Sequence, residues 1–169
     1  MFAEGRTLKA VSLWQPYAAL TARGLKTILT MHRPTDHRGP VAIHAAATID
    51  LAGAPDDLCL SGLGPHWADQ VARSAMVAVA TLFDCTPCAD LDTSRLTRAE
   101  RAAGVFSGLR FAWRLADIRT LRRPIPCAGR QGLFNWTPPA DLDDRLGPPR
   151  DHLALAHAIG WGMRPRADA

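Results

Sequence analysis

The chain has 169 residues, of which 47% are hydrophobic and 21% are charged, and this balance is typical of one globular domain rather than of a disordered chain. No apolar run approaches the roughly 20 residues of a membrane-spanning helix, and the first residues lack the apolar stretch of a signal peptide, so we expect a cytoplasmic protein with no membrane partner. The formal net charge of +4 is compatible with a polyanionic partner.

The first half of the chain predicts strands around one helix. Short apolar runs indicate three strands, at residues 8–13, 25–31 and 41–45. Pro16 at an early helical position and Gly24 as a stop signal predict a helix over residues 15–23. Residues 48–72 predict short helices that are broken by glycine and proline.

The second half predicts three more strands, at residues 75–83, 109–121 and 130–136. The near-continuous apolar run of the first of these indicates burial on both faces. Thr97 and Glu100 have the spacing of a capping box and predict the start of a helix. From residue 138 onward the composition changes to proline, aspartate and arginine. We therefore divide the chain into a domain of residues 1–137 and an extension of residues 138–169 that packs on it or trails from it, with a short helix at 153–159.

The cysteines and histidines do not form a metal-binding pattern. Cys85 and Cys88 have the spacing of a zinc knuckle or a redox pair, but a structural zinc site needs a second pair, and the other two cysteines are isolated. We interpret all four as buried or loop thiols. His44 lies in an apolar strand, and we interpret it as a core histidine with its hydrogen bonds satisfied. We expect neither a metal nor another cofactor.

Six short segments carry a family resemblance. They are VSLWQPYA at residues 11–18, GLKT at 24–27, RPT at 33–35, RGPVAIHAA at 38–46, FAWRL at 111–115 and GRQGLF at 129–134. This ordered series, within roughly residues 7–136, resembles the bacterial ASCH family of the PUA-like superfamily. The strand and helix pattern predicts an α+β, mainly β domain, and the resemblance implies a small PUA-like mixed β-barrel with flanking short helices. It also implies RNA or a modified nucleotide as the partner.

The chain departs from the family in the motif G-x-K-x-x-E-x-R, which begins at Gly24. The glutamate place is Leu29 and the arginine place is Met31. Replacing both members of a charged pair by packed apolar residues can leave stability unchanged. The same replacement removes polar groups that catalysis would use.

Lys26 keeps the family's lysine place and is our candidate catalytic residue. The resemblance implies this role, because some ASCH proteins are amidohydrolases of N4-acylcytidine that use a Lys–Thr–Glu set, and a lysine can activate a hydroxyl nucleophile. The place of that hydroxyl is Leu29 here, although Thr30 shares the strand face of Lys26. A solvated surface amine is an equally good interpretation of Lys26.

The candidate binding residues surround this motif. Aromatic residues could stack on a base, and Gln15 could read its edge, since a polar side chain at this strand-to-helix junction has little structural duty. Arginines beside turn residues could contact phosphate, although solvation is the commoner role of a single arginine. The nucleotide- or RNA-binding candidates are Trp14, Gln15, Tyr17, Lys26, Thr30, His32, Arg33, Thr35, Arg38, Arg130 and Gln131.

Three functions stay open at this point. The first is a module that binds RNA or a modified nucleotide in a basic cleft, and the loss of polar residues at positions 29 and 31 favours it. The second is a hydrolase, either an N4-acylcytidine amidohydrolase or a ribonuclease, that uses Lys26 with a substitute base such as His32. The third is an accessory protein whose cleft is filled by Leu29 and Met31. The sequence alone does not decide whether the protein is an enzyme.

Overall fold

The computed structural model describes residues 5–52 and 63–151. Within these ranges the strands are β1 (Leu8–Gln15), β2 (Ile28–Met31), β3 (Gly39–Ile49), β4 (Ala75–Pro87), β5 (Phe111–Pro126), β6 (Leu133–Trp136) and β7 (Leu146–Pro149). The helices are α1 (Tyr17–Ala22), α2 (Trp67–Gln70), α3 (Arg98–Ala102) and α4 (Leu142–Arg145). Two 3-10 turns, Cys88–Asp90 and Thr93–Arg95, follow β4.

All seven strands belong to one mixed sheet. Six of them follow the order β2-β5-β4-β3-β1-β6, and β7 is an additional strand that pairs with β5. β1 and β3 are parallel, whereas the other pairs are antiparallel. The helices are short and α1 packs against β1, β3, β4 and β5. The predicted α+β, mainly β fold is therefore confirmed.

The sheet is strongly curved. Met31 of β2 and Leu133 of β6 pack on the same core cluster and line the same cleft, although their strands stand at opposite ends of the strand order. Curvature is what brings these two strands near one another. Among the described residues no ladder joins β2 to β6, so the sheet curls without closing through that pair.

Two core clusters cover the two faces of the sheet. One joins α1 to the inner strand positions, among them Val11, Leu29, Ile43, Leu82 and Trp113. The other packs α4 and β7 against the opposite face, among them Leu8, Met76, Leu121, Phe134, Leu142 and Leu146. Because β4 lies between β3 and β5 and contributes to both clusters, its first six residues are buried, as its apolar run predicts.

The predicted boundaries differ from the observed ones for local reasons. β2 begins only at Ile28, because the backbone N–H groups of Leu25 and Lys26 donate to the carbonyl of Leu20 and continue the end of α1. Gln15 is not helical, since it pairs with Ile49 as the last residue of β1. Four strands are longer than predicted: β1, β3, β4 and β5.

The predicted helix start at Thr97 is confirmed, because the Thr97 side chain caps the helix. Thr97 Oγ1 accepts the N–H of Glu100 at 3.2 Å. The Glu100 carboxylate accepts the backbone N–H groups of Thr27 and Ile28, the latter at 2.9 Å. Glu100 is buried, so it ties α3 to the start of β2.

The first part of the predicted extension belongs to the packed structure. Leu142 of α4 and Leu146 of β7 are buried, and β7 pairs with β5. The predicted helix at residues 153–159 lies outside the described residues, as do residues 53–62 of the predicted helical stretch 48–72. None of the helices in the described ranges is long and apolar enough to cross a bilayer.

We expect Glu100→Ala to lower the free energy of unfolding by roughly 3 kcal/mol, because it removes the charged acceptor of two backbone N–H groups, one of them fully buried. Urea denaturation measures the change. Arg101→Ala, which removes one exposed hydrogen bond to the carbonyl of Leu96 from the same helix, is the matched control and should cost within about 1 kcal/mol. Equal losses in the two variants would contradict the role given to Glu100.

Candidate functional site

A cleft of about 1100 Å³ opens between the ends of β1 and β3 and two loops. One loop runs from the end of β2 through residues 32–35, and the other covers residues 129–132 before β6. Ser12, Trp14 and His44 form the strand side of the cleft. Four segments, two strand ends and two loops, therefore meet at one opening.

The cleft exists because β6 is shorter than β1. Their ladder runs from Leu8 paired with Trp136 to Val11 paired with Leu133 and ends there. Gly132 has φ +71°, a left-handed conformation that glycine adopts without strain, and here the loop joins β6. The last residues of β1 thus extend beyond β6 and face the opening.

The opposite wall is held by Trp113 of β5. This residue is buried and pairs with Leu29 of β2. Its indole Nε1–H donates to the backbone carbonyl of Arg33 at 3.0 Å. The bond fixes the chain that leaves β2 and so presents the Arg33 side chain at the cleft.

The cleft is cationic and partly aromatic. Arg33 and Arg130 line it from the two loops, and none of the described residues that line it is acidic. Neither arginine forms an ion pair with a described residue. Trp14 is 55% exposed at the same opening, whereas its neighbours Leu13 and Gln15 are buried. An exposed indole beside uncompensated guanidinium groups suits a planar, anionic ligand.

The structure brings six of the eleven predicted binding residues into this cleft: Trp14, His32, Arg33, Thr35, Arg130 and Gln131. They come from the strand-to-helix junction and from the two turn-rich loops of the family resemblance. Met31 also lines the cleft, but Leu29 is buried in the core, so the cleft is not filled by that pair.

Four of the other predicted residues bond to the protein itself or pack in its core. The expectation that Gln15 has little structural duty is wrong, because its amide donates to the carbonyl of Ala72 at 2.7 Å and accepts the N–H of Ala19 at 2.9 Å. Thr30 Oγ1 accepts the N–H of Val105 at 3.1 Å, and Arg38 donates to two carbonyls of its own loop. Tyr17 packs against two core clusters. None of these four lines the cleft.

Lys26 also lies away from the cleft. Its side chain is only 3% exposed, and Nζ donates to the carbonyl of Ala103 at 2.6 Å, just after α3. The alternative of a solvated surface amine is therefore wrong. The catalytic assignment of Lys26 stays a prediction, and the position of Lys26 in the fold gives it no support.

The sequence did not single out Ser12 or Gly129, which also line the cleft, and it assigned His44 to the core alone. The core assignment is confirmed, since His44 is buried and both ring nitrogens have partners. Ser12 and His44 occupy paired positions of β1 and β3. The only signal in the sequence is that Ser12 and His44 are polar residues within mostly apolar strands, and it has no meaning until the two strands are known to be neighbours.

The C-x-x-C segment lies at the far end of β4. Cys85 is half-buried and Cys88 is buried, and burial raises the pKa of the Cys88 thiol against the opposing effect of Arg110 and Lys26. In the described part of the chain, no three histidine, cysteine or acidic side chains cluster as metal ligands would.

No protein-family model matches this chain, and no curated protein matches it at a significant level. The ASCH resemblance therefore stays a prediction that rests on the six segments alone.

We expect Cys88 to react with iodoacetamide severalfold more slowly than Cys85 in the native protein, because Cys88 is buried and its pKa is raised. Peptide mass spectrometry over time measures both rates. In urea the two rates should converge, which provides the internal control. The unfolded chain has the lower Cys88 pKa, so it loses the thiol proton before the folded chain does as the pH rises. The free energy of unfolding is therefore higher at neutral pH and falls as the pH rises through the ordinary thiol range. Equal native rates would contradict the burial of Cys88.

Proposed function

We propose that this protein is an ASCH-type, PUA-like module that binds single-stranded RNA or a modified nucleotide in the cleft. The observation that carries the proposal is the meeting of an exposed Trp14 with Arg33 and Arg130 in a cleft whose described lining has no acidic residue. Aromatic faces hold unstacked bases, and arginines hold phosphates. Both kinds of group are within one opening here.

The base is expected to stack on Trp14. Base stacking on an aromatic side chain contributes about 1–3 kcal/mol per base and tolerates any base. His32 and Gln131 are exposed residues of the same cleft, and their polar atoms suit the edges of a base that is not paired with another strand. A duplex would offer neither a free face nor a free Watson–Crick edge, so the arrangement favours a single strand.

The phosphates are expected to contact the two arginines. Arg33 and Arg130 approach from separate loops, so a chain that crosses the cleft meets both. A volume of about 1100 Å³ slightly exceeds the range for small-molecule sites, roughly 300–1,000 Å³, and leaves room for more than one nucleotide. The modest net charge of +4 fits local contacts in a cleft rather than a long cationic surface.

Fluorescence anisotropy with a labelled single-stranded RNA of about twelve nucleotides tests the proposal, with DNA of the same sequence and cytidine 5′-monophosphate as competitors. Trp14→Ala should weaken binding by on the order of tenfold, because it removes the stacking surface. Arg33→Ala/Arg130→Ala should weaken binding and reduce the slope of log affinity against log salt by about 1.4, since two phosphate contacts are lost.

The matched control is Arg122→Ala/Arg123→Ala, which removes the same charge from exposed positions of β5 that do not line the cleft. It should change affinity far less than the cleft variants. An equal loss in both double variants would show that only net charge matters, and an affinity that is independent of salt would remove the phosphate contacts from the proposal.

A further inference from the structure

Ser12 and His44 form a close polar pair on the strand side of the cleft. They are partners in the parallel register of β1 and β3, so their side chains project from the same face of the sheet. Ser12 Oγ lies 3.0 Å from His44 Nδ1, and both residues line the cleft. Ser12 is half-buried, whereas His44 is only 2% exposed. The hydroxyl therefore stands between the imidazole and the open space of the cleft.

The hydrogen-bond network determines the tautomer of His44. Nε2 lies 2.8 Å from the backbone carbonyl oxygen of Cys127, and because a carbonyl can only accept, Nε2 must carry a hydrogen. In the neutral ring Nδ1 is then the acceptor, and the hydrogen between the two side chains belongs to Ser12 Oγ. His44 thus faces the serine with the lone pair that a general base uses.

The support behind the histidine is rigid. The N–H of Cys127 donates to the carbonyl of Ser74 at 2.9 Å, which fixes the peptide whose carbonyl holds His44. Phe134 meets the imidazole edge-on, with ring centroids 6.1 Å apart and an interplanar angle of 81°. A nucleophile, a base and a group that orients the base are the three parts of a serine hydrolase site.

We propose that Ser12 and His44 are a catalytic nucleophile and its general base, and that the cleft hydrolyses carboxylic esters. Ser12 Oγ attacks the carbonyl carbon while its proton passes to His44 Nδ1. The tetrahedral intermediate breaks the ester C–O bond, and the leaving alcohol takes the proton from His44. Water then attacks the acyl-serine, again losing a proton to Nδ1, and the carboxylic acid departs as the Ser12 hydroxyl regains its hydrogen.

Gly129 supports a functional interpretation of this pair. A Cβ atom built at position 129 would lie 2.4 Å from His44 Cε1 and 2.7 Å from Ser12 Oγ, so any larger residue would displace the pair. The backbone of the 129–132 loop therefore covers the reacting atoms closely on one side, and the cleft remains their access to solvent. A histidine with a purely structural role would not require that its serine partner be open to solvent through the cleft.

This activity goes beyond nucleotide binding and does not depend on it. Ester hydrolysis requires that the ester carbonyl reach Ser12. This requirement does not depend on which group Trp14 and the arginines bind. A small neutral ester or phosphonate probe makes no use of phosphate contacts, so its reaction is independent of RNA affinity. Failure of the ester probe to react would not contradict nucleotide binding, and failure to bind RNA would not contradict ester hydrolysis.

The test is reaction of the full chain with an alkyl fluorophosphonate, in which the serine oxygen displaces fluoride at phosphorus, followed by peptide mass spectrometry. Ser74 is the internal control, because it is an exposed serine of the same cleft with no histidine bonded to it among the described residues. We expect Ser12 to react on the order of 100-fold faster than Ser74, the lower range of what a general base contributes. Equal rates would overturn the proposal.

Variants and a turnover assay complete the design. Ser12→Ala should abolish hydrolysis of p-nitrophenyl acetate above the background, and Gly129→Ala should greatly reduce it, whereas Arg122→Ala/Arg123→Ala should not change it. His44→Gln, checked for folding by circular dichroism, should reduce Ser12 labelling to the Ser74 rate. If that variant does not fold, the ratio of Ser12 to Ser74 labelling in the unaltered protein still tests whether Ser12 is an activated nucleophile. Turnover that survives Ser12→Ala overturns the assignment.

Discussion

The parallel pairing of β1 with β3 is the constraint on which the rest of the structure depends. It runs from Lys9 beside Val41 to Leu13 beside Ala45 and, after an irregularity, to Gln15 beside Ile49. It lies between β4 on one side and β6 on the other. Most of its residues are buried, because both faces of the sheet are covered at this point. Parallel strands need a crossover connection, and α1 with β2 and its following loop supplies it.

The same crossover shapes the cleft. Residues 32–35 belong to its last part, and they return the chain to β3 beside the free end of β1. The ladder between β1 and β6 stops at the pair Val11 and Leu133, so β1 loses one neighbour where β3 still continues. An opening at this end of the sheet follows from the unequal strand lengths. The curvature of the sheet then brings Met31 and Leu133 to its two sides.

Two buried polar centres have different roles because they differ in access to the cleft. Around Glu100 and Lys26, side chains bond to the backbone of Thr27, Ile28 and Ala103, and the centre ties α3 to the start of β2. A buried carboxylate and a buried ammonium need such partners, and these bonds hold α3 against the start of β2. Around His44 one bond goes to the backbone and the other to a hydroxyl that faces the cleft. The second centre lines the cleft, whereas Lys26 and Glu100 do not.

The sequence by itself determined the composition of the fold and the position of most strands. Apolar runs identified β1, β3, β4 and β5 because strand burial repeats locally, and Thr97 identified the start of α3 because a cap involves adjacent residues. Turn-rich segments likewise indicated Arg33 and Arg130, since loops expose their side chains.

The hydrogen-bond partners of the polar residues were decided by the tertiary structure alone. Lys26 and Gln15 looked available for a ligand, yet their bonds go to Ala103, Ala72 and Ala19, of which only the last is near in sequence. Ser12 and His44 are 32 positions apart, and nothing local relates them. Strand pairing and register depend on contacts between distant segments, whereas a sequence pattern reports the preferences of one segment at a time. Most elements before residue 138 were therefore readable from the sequence, whereas α4, β7 and the cleft with its paired serine and histidine were not.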